Sequence, residues 1–268
     1  MTVGRLEEIL RDTRRRIEGL RPGLADLERR AQAAPPPPPF TLALGSAATV
    51  GVIAEVKRRS PSAGPIRGDL DPVTHAAAYV RGGAVAISVL TDDQHFGGSL
   101  ADLGAVVAAV RVPVLRKDFV LDELQLLEAR AAGASAVLLI VRALPAPVLA
   151  GLARSARGLG LGTLIEVHTE RELEAAVAAD PTAVGVNSRD LGTFTVDLGV
   201  VERVLPLVPR AIPAIAESGI ETRADVERCA ATGADLVLVG AAVARASDPA
   251  AAVRGLAGMA RRPGKRCA

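Results

Sequence analysis

The sequence Ile-Ala-Glu-Val-Lys-Arg-Arg-Ser-Pro-Ser-Ala-Gly-Pro, residues 53–65, continues an apolar run and ends in a loop. Alternate residues of an extended strand share one face, so Glu55 and Lys57 point the same way from the end of a strand. Ser60 and the prolines and glycine after it break that strand. A run that stays apolar until it ends in charge is typical of a buried strand carrying polar groups at its tip. The alternative is a surface Glu–Lys pair on an edge strand.

Eight short apolar runs rich in Val, Ile and Leu alternate with segments of helical period. The runs cover residues 50–57, 84–90, 112–117, 136–141, 162–167, 183–187, 212–217 and 236–240. Alternating strand and helix indicates a parallel sheet with right-handed crossovers, and eight units favour an α/β fold, the closed (β/α)8 TIM barrel. An open doubly wound sheet would place a glycine fingerprint after the first strand, where this chain has Arg-Arg-Ser-Pro-Ser.

The chain before the first strand predicts a helical extension that packs on the barrel. Helices are expected at residues 3–18 and 24–34, where apolar residues recur at helical spacing. The proline run at 35–39 is predicted to be a stiff polyproline II connector, with an SH3-type ligand as the alternative. The predicted organisation is an extension at 1–48, a barrel at 49–262 and a flexible tail at 263–268, forming one structural domain overall.

The composition suits a large apolar core and argues against several classes of partner. Of the 268 residues, 49% are hydrophobic but only 2% are aromatic, so Ala, Val and Leu must fill the core. The net charge of +2 and the scarcity of aromatic rings argue against nucleic acid. Cys229 and Cys267 are far apart in the sequence and belong to no metal-binding motif. The sequence shows neither a signal peptide nor a membrane span. We therefore expect a cytoplasmic protein, a monomer or weak homo-oligomer, that acts on a small molecule.

The carboxyl ends of the predicted strands carry polar residues that interrupt apolar runs. The ring comprises Glu55, Lys57, Lys117, Glu166, Asn187 and Glu217. In a barrel these ends meet in one mouth, where active sites lie. Buried charges are costly alone, so these groups must pair or face a polar cavity. Two ammonium groups and three carboxylates without a metal cluster indicate a general acid–base site. For Glu217 or Asp190 alone, the alternative is a structural ion pair at the rim.

Small residues follow the last two predicted strands, at Ser218-Gly219 and Gly240-Ala241. Barrels often bind phosphate here, on backbone N–H groups and a helix N-terminus. Glycine lets the backbone approach the anion closely. We predict a phosphate site at this position, with ordinary turn glycines as the alternative.

Several segments, in order along nearly the whole chain, closely resemble the motifs of the indole-3-glycerol phosphate synthase family. They are Ile-Ala-Glu-Val-Lys at 53–57 with Ser-Pro-Ser at 60–62, Leu-Arg-Lys-Asp-Phe at 115–119, Ile-Glu-Val-His at 165–168, Gly-Val-Asn-Ser-Arg-Asp-Leu at 185–191 and Glu-Ser-Gly-Ile at 217–220. Ser-Val-Leu-Thr-Asp at 88–92, Phe-Gly-Gly-Ser at 96–99 and the helical extension are similar too.

The resemblance implies ring closure of 1-(2-carboxyphenylamino)-1-deoxyribulose 5-phosphate, with loss of carbon dioxide and water, to indole-3-glycerol phosphate. This step of tryptophan biosynthesis needs no cofactor. Carried over by motif, Lys117 is the implied acid that polarises the substrate ketone, and Glu166 the implied acid or base in dehydration or proton removal. Lys57 is implied to bind the substrate carboxylate or phosphate and to be a second candidate proton donor, and Glu55 to hold and tune the lysines. How the two lysines divide the acid roles stays open.

The resemblance also implies the residues that contact the substrate, and it implies no metal. The substrate-binding positions are Ser60, Phe96, Phe119, Asn187, Arg189, Glu217 and Ser218. The phosphate-binding positions are Gly219, Gly240 and Ala241.

Two residues depart from the family pattern. His95 stands where the family usually has an aromatic residue, and Ala241 follows Gly240 where it usually carries Glu, Ser or Thr. The same chemistry on a modified anthranilate-derived substrate therefore stays open. Phosphoribosylanthranilate isomerase, another sugar-phosphate barrel enzyme, would be expected to place a Cys and an Asp at strand ends, where this chain has no Cys. A non-catalytic relative would be expected to lack a strand-end lysine or Glu166.

Overall fold

Eight parallel strands close into a barrel in the computed structural model, which describes residues 4–44, 48–61 and 64–261. The strands, in chain order, are β1 Gly51–Val56, β2 Ala86–Leu90, β3 Val114–Lys117, β4 Ala136–Ile140, β5 Gly162–Val167, β6 Ala183–Asn187, β7 Ala214–Glu217 and β8 Leu236–Val239. Each strand pairs with the next along the chain, and β8 pairs with β1. The predicted (β/α)8 barrel is confirmed, and every strand lies within one of the eight apolar runs. Ser62, Cys267 and the predicted tail lie outside the described residues.

Helices alternate with the strands and surround the barrel. They are α1 Arg5–Leu20, α2 Leu24–Ala33, α3 Pro72–Arg81, α4 Asp93–Phe96, α5 Leu100–Ala109, α6 Glu123–Ala131, α7 Ala146–Gly158, α8 Glu170–Ala178, α9 Gly199–Val204, α10 Arg223–Thr232, α11 Ala241–Arg245 and α12 Pro249–Leu256. Asp71 and Asp248 cap α3 and α12 ahead of a proline, and Thr222 and Asp225 form a capping box on α10. None of the helices in the described ranges is long and apolar enough to cross a membrane.

Alternate strand residues point into the barrel, and this alternation positions the polar groups of the mouth. On β1, Ile53 packs inside the barrel, whereas Val52 and Ala54 pack against the surrounding helices. The corresponding inner residues of β3, β5 and β7 are Leu115, Leu164 and Ile215. The residues two positions further on are Glu55, Lys117, Glu166 and Glu217. They share the inner face of their strands and extend the apolar core with a layer of charge at the carboxyl ends.

The N-terminal helices pack on the outside of the strands' mouth and on the surrounding helices, with α2 against α6. Helix α1 contacts the loops around the mouth, where Arg5 donates a hydrogen bond of 3.2 Å to the Pro61 carbonyl. Phe40, after the proline run, packs in the inner core beside Gly162 at the start of β5. The prolines at 35–39 lie outside any helix or strand, consistent with a connector. Treating this extension and the barrel as separate regions stays a prediction.

Candidate active site

A cavity of about 350 Å³ opens at the carboxyl ends of the strands. Every residue predicted for the site lines it, namely Glu55, Lys57, Ser60, Phe96, Lys117, Phe119, Glu166, Asn187, Arg189, Glu217, Ser218, Gly219, Gly240 and Ala241. This volume matches the space that a small ligand needs. The structure therefore brings together strand-end residues separated by more than 180 positions of sequence.

Glu55 and Lys57 form a close ion pair at the end of β1. The distance from Lys57 Nζ to Glu55 Oε1 is 2.7 Å, and Ser88 Oγ donates a hydrogen bond of 3.3 Å to Glu55 Oε2. Burial raises the pKa of Glu55, but the charges of Lys57 and Lys117 lower it by more. The carboxylate is thus ionised at neutral pH and fixes the position of Lys57. Gly240 makes room for the pair, because an added Cβ there would lie 2.6 Å from Glu55 Oε1.

Lys117 stands between two carboxylates of the barrel interior. Its Nζ atom lies 3.5 Å from Glu166 Oε2 and 3.5 Å from Glu217 Oε2. Burial lowers the pKa of Lys117, but the surrounding carboxylates raise it by more, so the net shift is upward. The ammonium group is therefore charged at neutral pH and can act as a hydrogen-bond donor and acid.

Glu217 has the opposite electrostatic character. Burial, offset only in part by Lys117, raises the pKa of Glu217 to about 8. Its side chain is only 1% exposed and lines the cavity, so its ion pair with Lys117 lies inside the mouth rather than at the rim. Gly185 on β6 allows this position, since an added Cβ would lie 1.9 Å from Glu217 Oε1. A neutral carboxyl therefore sits beside the charged ammonium of Lys117, an arrangement suited to proton transfer.

The chain has three lysines, Lys57, Lys117 and Lys265, and the first two lie in this cavity. Elsewhere the sequence uses arginine as its cation, with 29 arginines among its 32 basic residues. An arginine cannot give up its proton in a protein, whereas a lysine can. The distribution is what an acid–base site would require.

The loop after β6 forms one wall of the cavity. Asn187 Oδ1 accepts a hydrogen bond of 2.9 Å from the Arg189 backbone N–H, and an Arg189 guanidinium N–H donates at 3.0 Å to the Phe194 carbonyl. Burial lowers the pKa of Arg189. Asp190 lies at the rim, where its Oδ2 is 2.8 Å from an Arg142 guanidinium nitrogen. This contact is the structural ion pair considered as the alternative for this residue. Phe194 also lines the cavity, yet its sequence context has no strand-end signal that would have identified it.

Two consecutive residues after β7 have left-handed backbone conformations. Ser218 has φ 66° and Gly219 has φ 71°. The conformation is held in part by the Ser188 hydroxyl, which donates 2.8 Å to the Ser218 carbonyl. A side chain on Gly219 would lie 2.5 Å from Val196 Cγ1. Such turns expose backbone N–H groups, which suits the predicted anion site.

The sequence did not reveal the contacts of two histidines that lie next to the site but do not line the cavity. His95 Nε2 lies 3.2 Å from Asp12 Oδ2 on α1, so a residue that departs from the family pattern joins the extension to α4, the short helix after β2. His168 comes directly after the end of β5, and its Nε2 lies 3.5 Å from Glu166 Oε1. Both histidines were visible in the sequence, but nothing there revealed their partners. Within the described ranges, no cluster of His, Cys, Asp and Glu side chains could hold a metal ion.

The closed barrel and its mouth of paired lysines and carboxylates define the class: the chain is a (β/α)8-barrel enzyme. It belongs to the indole-3-glycerol phosphate synthase family, whose family model matches residues 6–256.

Curated relatives of the chain carry that same name. The indole-3-glycerol phosphate synthase of Mycolicibacterium smegmatis is 47% identical over 249 residues, covering 90% of this chain and 91% of the relative. Indole-3-glycerol phosphate synthase 1 of Streptomyces coelicolor is 46% identical over 259 residues, covering 93% and 96% of the two chains.

Solved structures of more distant proteins share the fold. A 3-hexulose-6-phosphate synthase matches with a TM-score of 0.60 at 19% identity, over 77% of this chain and 98% of the other. Thiamine phosphate pyrophosphorylase from Pyrococcus furiosus matches with a TM-score of 0.59 at 19% identity, over 77% and 93% of the two chains. At this identity the likeness concerns the barrel alone.

Proposed function

We propose that this chain is an indole-3-glycerol phosphate synthase, a carboxy-lyase of tryptophan biosynthesis. The proposed reaction closes the ring of 1-(2-carboxyphenylamino)-1-deoxyribulose 5-phosphate and releases carbon dioxide and water. The observation that carries the proposal is the position of Lys117, a charged ammonium held between Glu166 and Glu217 in the barrel mouth. The reaction consists of one carbon–carbon bond formation, the loss of carbon dioxide, the loss of water and proton transfers, so the proposed chemistry uses no cofactor.

Lys117 is the proposed acid for ring closure. As the aromatic carbon attacks the substrate ketone, negative charge develops on the ketone oxygen, and a charged donor within a buried site stabilises it. Glu166, 3.5 Å from Lys117, then serves dehydration or removal of the last proton. The neutral carboxyl of Glu217 can remain close to both without adding a negative charge.

The proposed positions of the substrate's two anionic ends follow from the remaining cavity residues. Lys57, fixed by Glu55, is the cation available to the substrate carboxylate or phosphate and the second candidate acid. The left-handed turn at Gly219 and the backbone at Gly240 and Ala241 are proposed to hold the phosphate. The remaining contacts are assigned to Ser60, Phe96, Phe119, Asn187, Arg189 and Ser218.

A modified anthranilate-derived substrate is the second candidate, because His95 departs from the family pattern immediately before Phe96 of the cavity lining. The other departure, Ala241, lies at the proposed phosphate end of the cavity. Ring-substituted analogues of the substrate, compared by kcat/KM, separate the two candidates.

The direct test is turnover of the substrate by purified protein, followed by the appearance of indole fluorescence. The chain has no Trp and a single Tyr, Tyr79, so its own background is low. Glu166→Gln serves as the control for contaminating activity. Turnover without added metal or nucleotide, lost in the control, supports the proposal. Tight binding without turnover would indicate a non-catalytic relative. The absence of both binding and turnover would contradict the proposed ligand.

We also propose a cytoplasmic location and a monomer or weak homo-oligomer. The location is supported by Cys229, which is a free thiol within the described ranges, as a reducing compartment would leave it. Light scattering over a range of protein concentrations tests the oligomeric state.

A further inference from the structure

His168 lies behind the proposed catalytic carboxylate, outside the described lining of the cavity. Its side chain is only 4% exposed, and its two ring nitrogens face different carboxylates. Nε2 is 3.5 Å from Glu166 Oε1, and Nδ1 is 3.4 Å from Glu172 Oε2. Lys117 approaches the other oxygen of Glu166, Oε2. The two oxygens of Glu166 therefore have separate neighbours, one toward the cavity and one toward the protein interior.

Glu172 fixes which nitrogen of His168 carries a proton. Burial raises the pKa of Glu172, but hydrogen bonding to His168 and the charge of Arg142 lower it to about 2. The carboxylate also accepts a hydrogen bond of 2.7 Å from the His168 backbone N–H and pairs with Arg142 at 3.1 Å. An ionised carboxylate can only accept hydrogen bonds. A proton on Nδ1, the nitrogen that faces it at 3.4 Å, is therefore the favourable arrangement.

His168 Nε2 and Glu166 Oε1, which face each other, then have two possible protonation states. If the imidazole is neutral, Nε2 is an acceptor, and Glu166 must be protonated to donate to it. If the imidazole is protonated, Nε2–H donates to an ionised Glu166. Nδ1, Nε2 and Glu166 Oε1 are all buried, and at these separations none of the three makes a hydrogen bond within the described residues. A buried polar atom without a partner costs about 1–3 kcal/mol, so a small approach of Nε2 to Oε1 with a proton between them is favourable. Both favourable states contain one proton between these two atoms.

We infer that His168 is a positioning residue for Glu166, and that the imidazole and the carboxyl group hold one proton in common. This inference rests on the proposed function of Glu166. When Glu166 accepts a substrate proton at Oε2, its Oε1 proton passes to Nε2, giving an imidazolium that faces Glu172. When Glu166 gives up its Oε2 proton, the Nε2 proton returns to Oε1. Glu166 can thus act as base and as acid while its own charge stays constant.

His168→Gln tests the shared proton directly. The glutamine amide can donate a hydrogen bond to Glu166, but it cannot accept a proton, so it favours the ionised carboxylate. We expect kcat to fall about tenfold or more while KM changes by less than about twofold. One limb of the pH profile of kcat should move to lower pH. The ionisable groups that face this pair and its neighbours are Lys117, Glu217, Glu172, Arg142 and Asp190.

His75→Gln is the matched control. His75 is also buried and has an Nε2 without a hydrogen-bond partner in the described part of the chain, but it lies on α3, outside the cavity lining. Its variant should lose comparable stability and keep the wild-type pH profile. An unchanged profile in His168→Gln, with the wild type active, overturns the inference and leaves the proposed function standing. Absence of turnover in the wild type contradicts the proposed function instead.

Nitrogen-15 NMR of the wild-type protein gives a second test that does not depend on folding of the variant. The chain has only three histidines, His75, His95 and His168, so their ring signals can be assigned by single substitutions at the first two. We expect His168 to be either the neutral Nδ1–H tautomer or the imidazolium. A neutral Nε2–H tautomer overturns the inference.

Discussion

Arg16 of α1 donates hydrogen bonds of 2.9 Å to both carboxylate oxygens of Asp118, the residue after Lys117. Asp118 is buried and also accepts from Arg116 at 3.0 Å and Thr91 at 2.6 Å. Burial raises the pKa of Asp118, but its arginine partners lower it by more. The extension therefore helps to hold the strand end that carries the proposed acid.

Replacing Arg16 with alanine should weaken both the fold and the site. Removing a donor from a buried carboxylate costs about 1–3 kcal/mol, and we expect the free energy of unfolding in urea to fall by that amount. Arg116 still pairs with Asp118, so the barrel should stay folded. Turnover should fall as well, because small displacements of a catalytic group are costly.

Arg29→Ala is the matched control for this prediction. Arg29 lies on α2 and pairs with Asp26, but both side chains are exposed. An exposed pair contributes about 0–1 kcal/mol, so this variant should be nearly as stable as the wild type and fully active. Equal losses in the two variants would show that the contact with Asp118 has no special importance.

Lys117→Ala should abolish turnover while leaving the fold intact. The residue lines the cavity rather than the core, and the raised pKa of Glu217 lets that carboxyl stay neutral when the cation is gone. Because general acid catalysis contributes about 10²–10⁴-fold, we expect kcat to fall by at least that range. Circular dichroism checks the fold, and near-normal turnover would refute the role.

Lys117→Arg separates charge from proton donation. The guanidinium keeps the positive charge between Glu166 and Glu217, but it does not release its proton in proteins. If Lys117 is an acid, this variant should be nearly as inactive as Lys117→Ala. If the arginine variant regains most of the activity, the role of Lys117 is electrostatic only.

The barrel and the inner face of its strands could be predicted from the sequence because both follow from periodicity. Glu55 and Lys57 share a face with Ile53, and the same alternation aims Lys117 and Glu166 at the mouth. The same alternation of side chains, applied to all eight strands, therefore identified the cavity residues at the strand ends.

The partners of those residues could not be predicted, because they depend on contacts between distant elements. Arg16 and Asp118 are 102 positions apart, and no local pattern pairs them. The raised pKa of Glu217 depends on burial, and its position depends on Gly185 of the neighbouring strand. Phe194 lies in an irregular loop, where side-chain directions do not repeat at a fixed spacing and so could not be predicted from the sequence.

The pKa of Glu217 predicts how stability changes with pH. The ordinary pKa of 4.5 is raised to about 8 in the folded protein, so between these values the folded state holds a proton that the unfolded state releases. The contribution of Glu217 to stability should therefore be greatest below the lower value and fall as pH rises, by at most about 1.4 kcal/mol per pH unit. Glu217→Gln, which cannot ionise, should lose this slope in urea unfolding between pH 5 and 8.

Glu202→Gln controls for the general effect of removing a carboxylate. Glu202 is exposed and pairs with Arg228 on the outside of the barrel. Its variant should keep the wild-type slope of stability against pH. A slope that survives in Glu217→Gln would mean that Glu217 is ionised in the folded protein across this range.

Gly219→Ala tests the proposed phosphate site. Gly219 has φ 71°, and an added Cβ would lie 2.5 Å from Val196 Cγ1, so the turn that presents backbone N–H groups must move. Gly160→Ala is the control, because Gly160 has φ 73° but open space around it. Both variants should lose roughly 1 kcal/mol of stability to backbone strain. We expect only Gly219→Ala to raise KM for the phosphorylated substrate, by about tenfold or more, as the loss of one charge-assisted hydrogen bond predicts. Equal KM values in the two variants would place the phosphate elsewhere in the mouth.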